Sequence, residues 1–266
     1  MESIRSDDAQ IFYEVRGDGP PVVLLHPFPV RHEFWYPVAP ALESRYRLIL
    51  PDLRGHGDSE IGEGPTPMQK HASDMVRVLD AAGIGKAAFV GCSIGGYILF
   101  EFWRRFRDRV TALALCDTRP QADTPEGRAN RLKAAAAVLE QGTDPFLETM
   151  IPKLMGRTTI SARPDLVAGA HAMMRKMSAE DISLVLRGMA ERPDSVADLK
   201  TINVPTLIAI GEEDVLSPVA DGELMRQNIA GSRLRVIPKA GHYAPWEQPI
   251  AVGEILRQFL DGVAAK

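Results

Sequence analysis

The sequence is poor in cysteine and has no long apolar run. Its 266 residues include two cysteines, Cys92 and Cys116, and each ends an apolar stretch typical of a buried strand. Isolated buried thiols of this kind favour a reducing compartment over a disulfide-bonded secreted domain. No stretch approaches the roughly 18 apolar residues that span a bilayer, and the first residues have no apolar signal core. These absences predict a cytoplasmic protein without a membrane partner.

The sequence also lacks a long basic run. Lys and Arg number 31 against 35 Asp and Glu, which gives a formal net charge of −4 and argues against nucleic acid as a partner. Hydrophobic residues make up 45% and charged residues 25%, both close to the averages of globular domains. We therefore expect a globular chain with a large core. Its oligomeric state is not indicated by the sequence.

Short apolar runs alternate with amphipathic stretches over most of the chain. Continuous runs predict buried strands at residues 22–25, 47–50, 87–90 and 110–116, and further strands are predicted at 205–210 and 233–237. Between them lie helical patterns such as Met68 to Ala82, whose apolar residues fall on one face. Strands that alternate with helices pair in parallel through right-handed crossovers. The alternating residues 9–15 predict an edge strand, and Trp35 to Leu42 a short helix.

A long segment of purely helical pattern interrupts this alternation. Between Arg119 and Leu199 the sequence shows several helical stretches and no convincing strand. The sequence thus predicts an α/β fold, in which residues 1–118 and 200–266 form a mostly parallel sheet with helices on both faces. Residues 119–199 are expected to form an inserted helical cap.

The pattern Gly-x-Ser-x-Gly at residues 91–95 lies between a predicted strand and a predicted helix. This is the context of a nucleophile elbow, a strained turn that presents the serine hydroxyl at the edge of the sheet. Gly91 and Gly95 avoid a Cβ where strand and helix approach each other closely. We therefore predict Ser93 as a nucleophile. Cys92 is one residue short of the apex and is expected to be a buried strand thiol.

A serine nucleophile needs a base and an acid at the same edge of the sheet. His242 follows the last predicted strand and Asp214 follows the strand at 205–210, so both are expected at the carboxyl edge beside Ser93. The chain order serine, acid, histidine is that of one triad-bearing fold. Asp117 also ends a strand and stays open as an alternative acid.

Together these motifs resemble those of the α/β-hydrolase superfamily. The matching pieces span the chain outside the predicted cap and lie at residues 26–29, 52–59, 91–96, 211–214 and 241–242. The sequence looks most like bacterial carboxylesterases, enol-lactonases and cofactor-free perhydrolases. The resemblance implies a serine hydrolase without metal or cofactor, whose partner is a small-molecule ester or lactone.

The resemblance also implies which groups hold the oxyanion. In relatives one donor is the amide of the residue after the nucleophile, here Ile94, and the other maps to Phe28. Many relatives have glycine where this chain has Pro27, which has no N–H to donate. The Phe28–Pro29 peptide is expected to be cis. A proline at position 29 is seen in relatives that resemble perhydrolases, so we expect side formation of peracid from acid and peroxide.

Several polar residues near these motifs are expected to be structural. His26 is predicted to buttress the oxyanion turn through a side-chain hydrogen bond. Asp52 and His56 are predicted to pin the loop that follows the strand at 47–50. The substrate pocket is predicted to lie among the cap, Phe28 and a group of apolar and aromatic residues near the motifs, namely Trp35, Tyr97, Leu216 and Tyr243.

The function expected from these residues is hydrolysis of small to medium carboxylic esters through an acyl-enzyme. A lactonase uses the same step on a ring, so it stays open as an alternative. From another class, a hydroxynitrile lyase or a non-catalytic binding protein stays open too. A lyase needs a basic residue in the pocket to hold cyanide, and the sequence offers no clear candidate. A binding protein does not need Ser93, Asp214 and His242 together.

Overall fold

One eight-stranded sheet forms the centre of the protein. A computed structural model describes residues 1–264, and within them the strands are β1 (Glu2–Ser6), β2 (Ala9–Arg16), β3 (Pro21–Leu25), β4 (Arg47–Pro51), β5 (Ala87–Cys92), β6 (Val110–Cys116), β7 (Thr206–Gly211) and β8 (Arg233–Ile237). Their order across the sheet is β1-β2-β4-β3-β5-β6-β7-β8. Among these strands only β2 runs against its neighbours, and all other pairs are parallel. The prediction of a mostly parallel α/β sheet is confirmed.

Helices connect and flank these strands. Within residues 1–264 they are α1 (Met68–Ala81), α2 (Ile94–Phe106), α3 (Pro125–Gln141), α4 (Thr143–Leu154), α5 (Arg157–Ala162), α6 (Pro164–Met174), α7 (Ala179–Ala190), α8 (Val219–Asn228), α9 (Ala244–Glu247) and α10 (Pro249–Ala264). Helices α3 to α7, called the cap below, follow one another between β6 and β7, so the predicted helical insertion is confirmed. None of the helices within residues 1–264 is long and apolar enough to cross a membrane.

Two helices of the cap begin at residues whose side chains bond to the first helical turn. The Thr124 hydroxyl accepts a 3.1 Å hydrogen bond from the Gly127 amide, and Pro125 occupies the first position of α3. The Ser178 hydroxyl accepts a 3.1 Å bond from the Asp181 amide ahead of α7. Helices α3 and α7 pack against each other. The first residues of both helices are therefore held by local hydrogen bonds.

The structure corrects two predictions in the first part of the chain. Residues 9–15 belong to β2, which is an inner strand because it pairs with β1 and with β4. In β1 only Ser6 is buried, so the strand has no apolar alternation that would predict it. The helix predicted from Trp35 to Leu42 is replaced by two short 3-10 turns at His32–Trp35 and Ala39–Ala41. Prolines in this segment remove amide donors that a continuous helix needs.

The parallel strands bring three loops to one edge of the sheet. Strand β5 lies between β3 and β6 and is buried along its whole length. Because β5, β7 and β8 are parallel, their carboxyl ends meet at the same edge. The segments that leave these three ends carry Ser93, Asp214 and His242.

Candidate active site

Ser93 lies on a strained turn between β5 and α2. Its backbone dihedrals are φ 54° and ψ −114°, a region that residues other than glycine seldom adopt. A Cβ on Gly91 would lie 2.6 Å from the carbonyl carbon of Gly95, and one on Gly95 would lie 2.6 Å from the carbonyl oxygen of Leu25. Only glycine fits at these two positions. Strand, turn and helix thus have the geometry of a nucleophile elbow.

Ser93, His242 and Asp214 form a continuous chain of hydrogen bonds. The Oγ of Ser93 lies 2.8 Å from Nε2 of His242, and Nδ1 of His242 lies 2.8 Å from Oδ2 of Asp214. The other oxygen of Asp214 accepts bonds from the amides of Leu216 at 2.8 Å and Ser217 at 3.0 Å. An ionised Asp214 only accepts, so Nδ1 of His242 carries the hydrogen and Nε2 faces the serine hydroxyl as an acceptor.

Asp117, the alternative acid, is directed elsewhere. Its Oδ1 accepts a 2.7 Å hydrogen bond from the Gly211 amide at the end of β7. The side chain is fully buried. Burial, and then the charge of Asp214, raises the pKa of Asp117 well above its usual range. A carboxyl that is held neutral braces β6 against β7, whereas stabilising an imidazolium requires a charged one.

The amides of Phe28 and Ile94 are unpaired within the described residues. Ile94 begins α2, so its amide lacks an intrahelical partner. Neither amide donates to another residue in the part of the chain from 1 to 264. The Phe28–Pro29 peptide is cis, as predicted. The buried Tyr243 hydroxyl donates a 2.9 Å hydrogen bond to the carbonyl oxygen of Phe28.

His26 braces the turn that carries Phe28. The Leu53 amide donates to Nε2 of His26 at 3.0 Å, and Nδ1 of His26 then donates to the carbonyl oxygen of Pro27 at 2.9 Å. Burial, and then the nearby His56, lowers the pKa of His26 to about 3. The imidazole is therefore neutral and serves both bonds in one tautomer.

Asp52 pins the loop after β4. One carboxylate oxygen accepts bonds from the amide and the ring of His32, at 2.9 Å and 2.7 Å, and the other accepts the Asp58 amide at 2.9 Å. Burial by itself raises the pKa of Asp52, but the hydrogen bond and charge of His32 outweigh it and lower the pKa to about 2. His56 lies in the same loop, and its Nδ1 bonds the Arg54 carbonyl at 3.0 Å.

A cavity of about 240 Å³ opens beside Ser93 and His242. Of the predicted pocket residues, Phe28, Tyr97 and Leu216 line it. The cap supplies an apolar part of the wall, which consists of Ala134, Phe146, Met150, Leu154, Leu186 and Met189. The site is thus enclosed between the sheet edge and the cap.

The prediction of Trp35 and Tyr243 as pocket residues is wrong. Both are fully buried and neither lines the cavity. Their rings lie edge-on against Phe34, with centroids 5.2 Å apart in each pair. Phe34 lies in the first 3-10 turn, so these aromatic rings pack in the core and leave the cavity to other residues.

The structure supplies basic pocket residues, for which the sequence offered no clear candidate. Arg119, Arg131 and Lys153 line the cavity. They come from the segment after β6, from α3 and from α4, so no single motif unites them in the sequence. The apolar lining of α4 could have been found, because Phe146, Met150 and the adjoining Leu154 recur every four residues and share one helix face.

Metal ligands do not cluster in the described chain. Within residues 1–264 no group of three or more His, Cys, Asp or Glu side chains is arranged to hold a metal ion. The Ser93 hydroxyl and the His242 imidazole lie beside the cavity, and Phe28 lines it.

Comparison with known families agrees with this geometry. A family profile described as the alpha/beta hydrolase fold matches residues 20–249, which is most of the chain. The chain belongs to the α/β-hydrolase family. The superfamily resemblance drawn from the sequence motifs is thereby confirmed.

Similar α/β-hydrolases include esterases and enol-lactonases. A thermophilic esterase from Thermogutta terrifontis, solved with malate bound, is 35% identical, and the superposition covers 99% of each chain with a TM-score of 0.95. The 3-oxoadipate enol-lactonase 1 of Acinetobacter baylyi is 27% identical over 92% of this chain and 90% of that protein. An enol-lactonase from Burkholderia xenovorans LB400, 24% identical, shares the fold with a TM-score of 0.91 over 98% of this chain and 100% of its own. This chain is therefore a hydrolase of α/β fold.

Proposed function

We propose that the protein is a carboxylesterase that acts through an acyl-enzyme. The observation that carries the proposal is the unbroken chain of hydrogen bonds from Ser93 through His242 to Asp214, which opens into the cavity. A serine hydroxyl becomes a strong nucleophile only when a positioned base takes its proton. Nε2 of His242, 2.8 Å from the hydroxyl, is that base.

The first half-reaction acylates Ser93. Its Oγ attacks the carbonyl carbon of the ester while Nε2 of His242 takes the proton, and the charge that develops on the carbonyl oxygen is held by the Phe28 and Ile94 amides. The bond from carbon to the alcohol oxygen then breaks. The leaving oxygen takes the proton from His242 and departs as the alcohol.

The second half-reaction returns the enzyme to its starting state. Water attacks the acyl carbon, His242 takes one proton from it, and the bond to Ser93 Oγ breaks as that proton is returned to the serine. The balance is one ester and one water consumed, and one carboxylic acid and one alcohol released. Asp214, fixed by the Leu216 and Ser217 amides, orients the imidazole and stabilises its charge in both halves.

A lactonase is a second candidate, favoured by the enol-lactonase of Acinetobacter baylyi at 27% identity. The chemistry is the same, except that the alcohol stays attached to the acyl group after the ring opens. The cavity of about 240 Å³ suits a small ring as well as a short ester.

A substrate panel tests these candidates. We expect turnover of p-nitrophenyl esters of short to medium chain and of five-membered lactones, compared by kcat/KM. Acetate with peroxide, and a cyanohydrin, extend the panel to peracid formation and to lyase activity. Absence of turnover on every ester and lactone would contradict the proposal.

Covalent labelling tests the assignment of the nucleophile. A fluorescent alkyl phosphonate should label Ser93, and Ser93→Ala should abolish both the label and ester turnover while the melting temperature stays near that of the wild type. Ser73→Ala is the control, because Ser73 lies on α1 and its hydroxyl bonds the Gln69 carbonyl. A label that persists in Ser93→Ala would place the nucleophile elsewhere.

A further inference from the structure

Basic side chains form one wall of the cavity beside Ser93. Arg119, Arg131 and Lys153 line this wall, and no Asp or Glu of residues 1–264 lines the cavity. The whole chain carries a formal net charge of −4, so the wall is opposite in sign to the protein as a whole.

Behind this wall, the carboxylate of Asp123 forms ion pairs with three guanidinium groups. Asp123 lies 3.2 Å from Nη2 of Arg119, 2.8 Å from Nε of Arg131 and 2.8 Å from Nη2 of Arg192. Asp123 and Arg192 each expose 3% of their side chains. Among the ion pairs within residues 1–264, Asp123 is the one carboxylate partner of all three arginines, and Lys153 adds a further positive charge at the cavity.

The pKa of Asp123 agrees with an excess of positive charge. Burial by itself raises this pKa, but the hydrogen bond and charge of Arg131, followed by the charge of Arg192, outweigh it and lower the pKa to about 2. Asp123 therefore stays ionised and cannot compensate more than one of its three neighbours.

Several donors on the wall are left without an oxygen acceptor. Within residues 1–264, Nη1 of Arg131 has only the Met189 sulfur as a partner, at 3.8 Å. Nε of Arg119 is buried and has no partner within residues 1–264. Lys153 is exposed. It forms no ion pair within residues 1–264, where the lysine that does so is Lys70. Of these groups, Lys153 and Nη1 of Arg131 belong to partly or fully exposed side chains, so they can receive a ligand without giving up a strong protein contact.

The guanidinium group of Arg192 packs on an aromatic ring that lines the cavity. Its guanidinium carbon is 4.3 Å from the ring centroid of Tyr97, which lines the cavity. Tyr97 lies in the first turn of α2, and it lines the cavity together with Ser93. The positive wall therefore lies within one small cavity together with the Ser93 hydroxyl.

We propose that the cavity binds a small ester that carries a free carboxylate, such as the monoester of a dicarboxylic acid. The carboxylate pairs with Arg131 and Lys153 while the ester carbonyl lies at Ser93. Arginine and carboxylate match in geometry and form charge-assisted bonds. A neutral ester would leave these donors unpaired, and a site built around polar partners rejects ligands that lack them. This inference rests on the proposed ester hydrolysis, in which the carboxylate takes no part.

Calorimetry on Ser93→Ala tests the binding without turnover. The probes are monomethyl glutarate and the methyl ester of glutaramic acid, which have nearly the same shape and differ in one negative charge. We expect the charged probe to bind about tenfold or more tightly, because it makes charge-assisted hydrogen bonds that the amide cannot. The difference should shrink as salt screens the charges. Equal affinity for the two probes would overturn the inference.

Substitutions on the wall identify the groups responsible. In the Ser93→Ala background, Lys153→Gln and Arg131→Gln should each reduce the preference for the charged probe by about fivefold or more. Lys133→Gln is the matched control, since Lys133 is exposed on α3 and does not line the cavity. Lys153 is exposed, so its substitution decides the matter even where Arg131→Gln unfolds. A preference that survives Lys153→Gln unchanged, or that falls equally in Lys133→Gln, contradicts the assignment.

Turnover by the wild type separates this inference from the proposed function. We expect kcat/KM about tenfold or more higher for monomethyl glutarate than for the amide probe. Equal turnover of both leaves a carboxylesterase and refutes the carboxylate preference. No turnover of any ester, with the calorimetric preference intact, refutes the carboxylesterase and leaves a carboxylate-binding cavity.

Discussion

The hydroxyl of Tyr243 donates a 2.9 Å hydrogen bond to the carbonyl oxygen of Phe28. Tyr243 follows the proposed base His242, and Phe28 supplies one of the two amides proposed to hold the oxyanion. The two residues are 215 positions apart in the chain, and both are buried. A single phenol therefore fixes the distance between the base and one oxyanion donor.

Tyr243→Phe should lower kcat and leave KM nearly unchanged. Loss of this bond lets the Phe28 turn relax where charge develops, so we expect kcat to fall about five- to twentyfold. Tyr46→Phe is the control, because that hydroxyl donates a 2.6 Å bond to Asp261 on α10. Steady-state kinetics on one ester compares the two. A loss of the same size in both variants would argue against a positioning role for Tyr243.

Asp214→Asn and Asp117→Asn should differ strongly in activity. Asn at 214 cannot keep His242 in the required tautomer, so kcat should fall by about 10⁴, the size seen in a related triad. Asp117 is held neutral by burial and by the charge of Asp214, so a neutral amide should change kcat by about threefold or less. Similar losses in the two variants would reopen the choice of acid.

Glu247→Gln should loosen the attachment of the cap to the His242 loop. One carboxylate oxygen of Glu247 accepts the Gly241 amide and the other accepts the Gly156 amide just before α5, both at 2.8 Å. Glutamine offers one acceptor, so the free energy of unfolding should fall by about 1–3 kcal/mol in urea titrations. Glu254→Gln removes an exposed ion pair on α10 and should leave the free energy of unfolding nearly unchanged. Equal costs would contradict the bridging role.

His71→Leu should make folding less sensitive to acid. His71 is fully buried, neither ring nitrogen has a hydrogen-bond partner within residues 1–264, and burial lowers its pKa well below 6.5. Below that pH the unfolded chain binds a proton that the folded chain does not, so the free energy of unfolding falls as the pH falls. Removing the imidazole should reduce this slope by about 1.4 kcal/mol per unit between about pH 5 and 6. Unfolding curves at several pH values measure it, and an unchanged slope would refute the assignment.

The parts of the site that follow the carboxyl ends of strands could be predicted from the sequence. Strand β6 matches the predicted run at 110–116, because continuous apolar runs between turn residues are typical of buried parallel strands. Strand β8 also has the predicted bounds 233–237, although it lies at the edge of the sheet and only Ile237 in it is buried. Once the strands are parallel, the segments after their carboxyl ends must lie at one edge. The closeness of Ser93, Asp214 and His242 follows from that topology.

Side-chain direction within the cap could not be predicted in the same way. Arg119, Arg131 and Lys153 lie on three separate segments, and their meeting depends on how α3 and α4 pack over the sheet. Helical periodicity separates a buried face from an exposed one, but it does not say which long side chain turns toward a cavity. Adjacency in the sequence is also a weak guide to side-chain direction, because Tyr243 follows His242 and yet its ring packs on Phe34.

The backbone of Ser93 has a consequence for how this chain can change over time. Glycine would adopt a φ of 54° without the roughly 1–3 kcal/mol that this conformation costs other residues. Selection for stability alone would therefore favour Ser93→Gly, which should be more stable but would lack the proposed nucleophile. Serine at this position is therefore expected to be retained for its chemistry. A search for heat-resistant variants of this chain should leave position 93 unchanged.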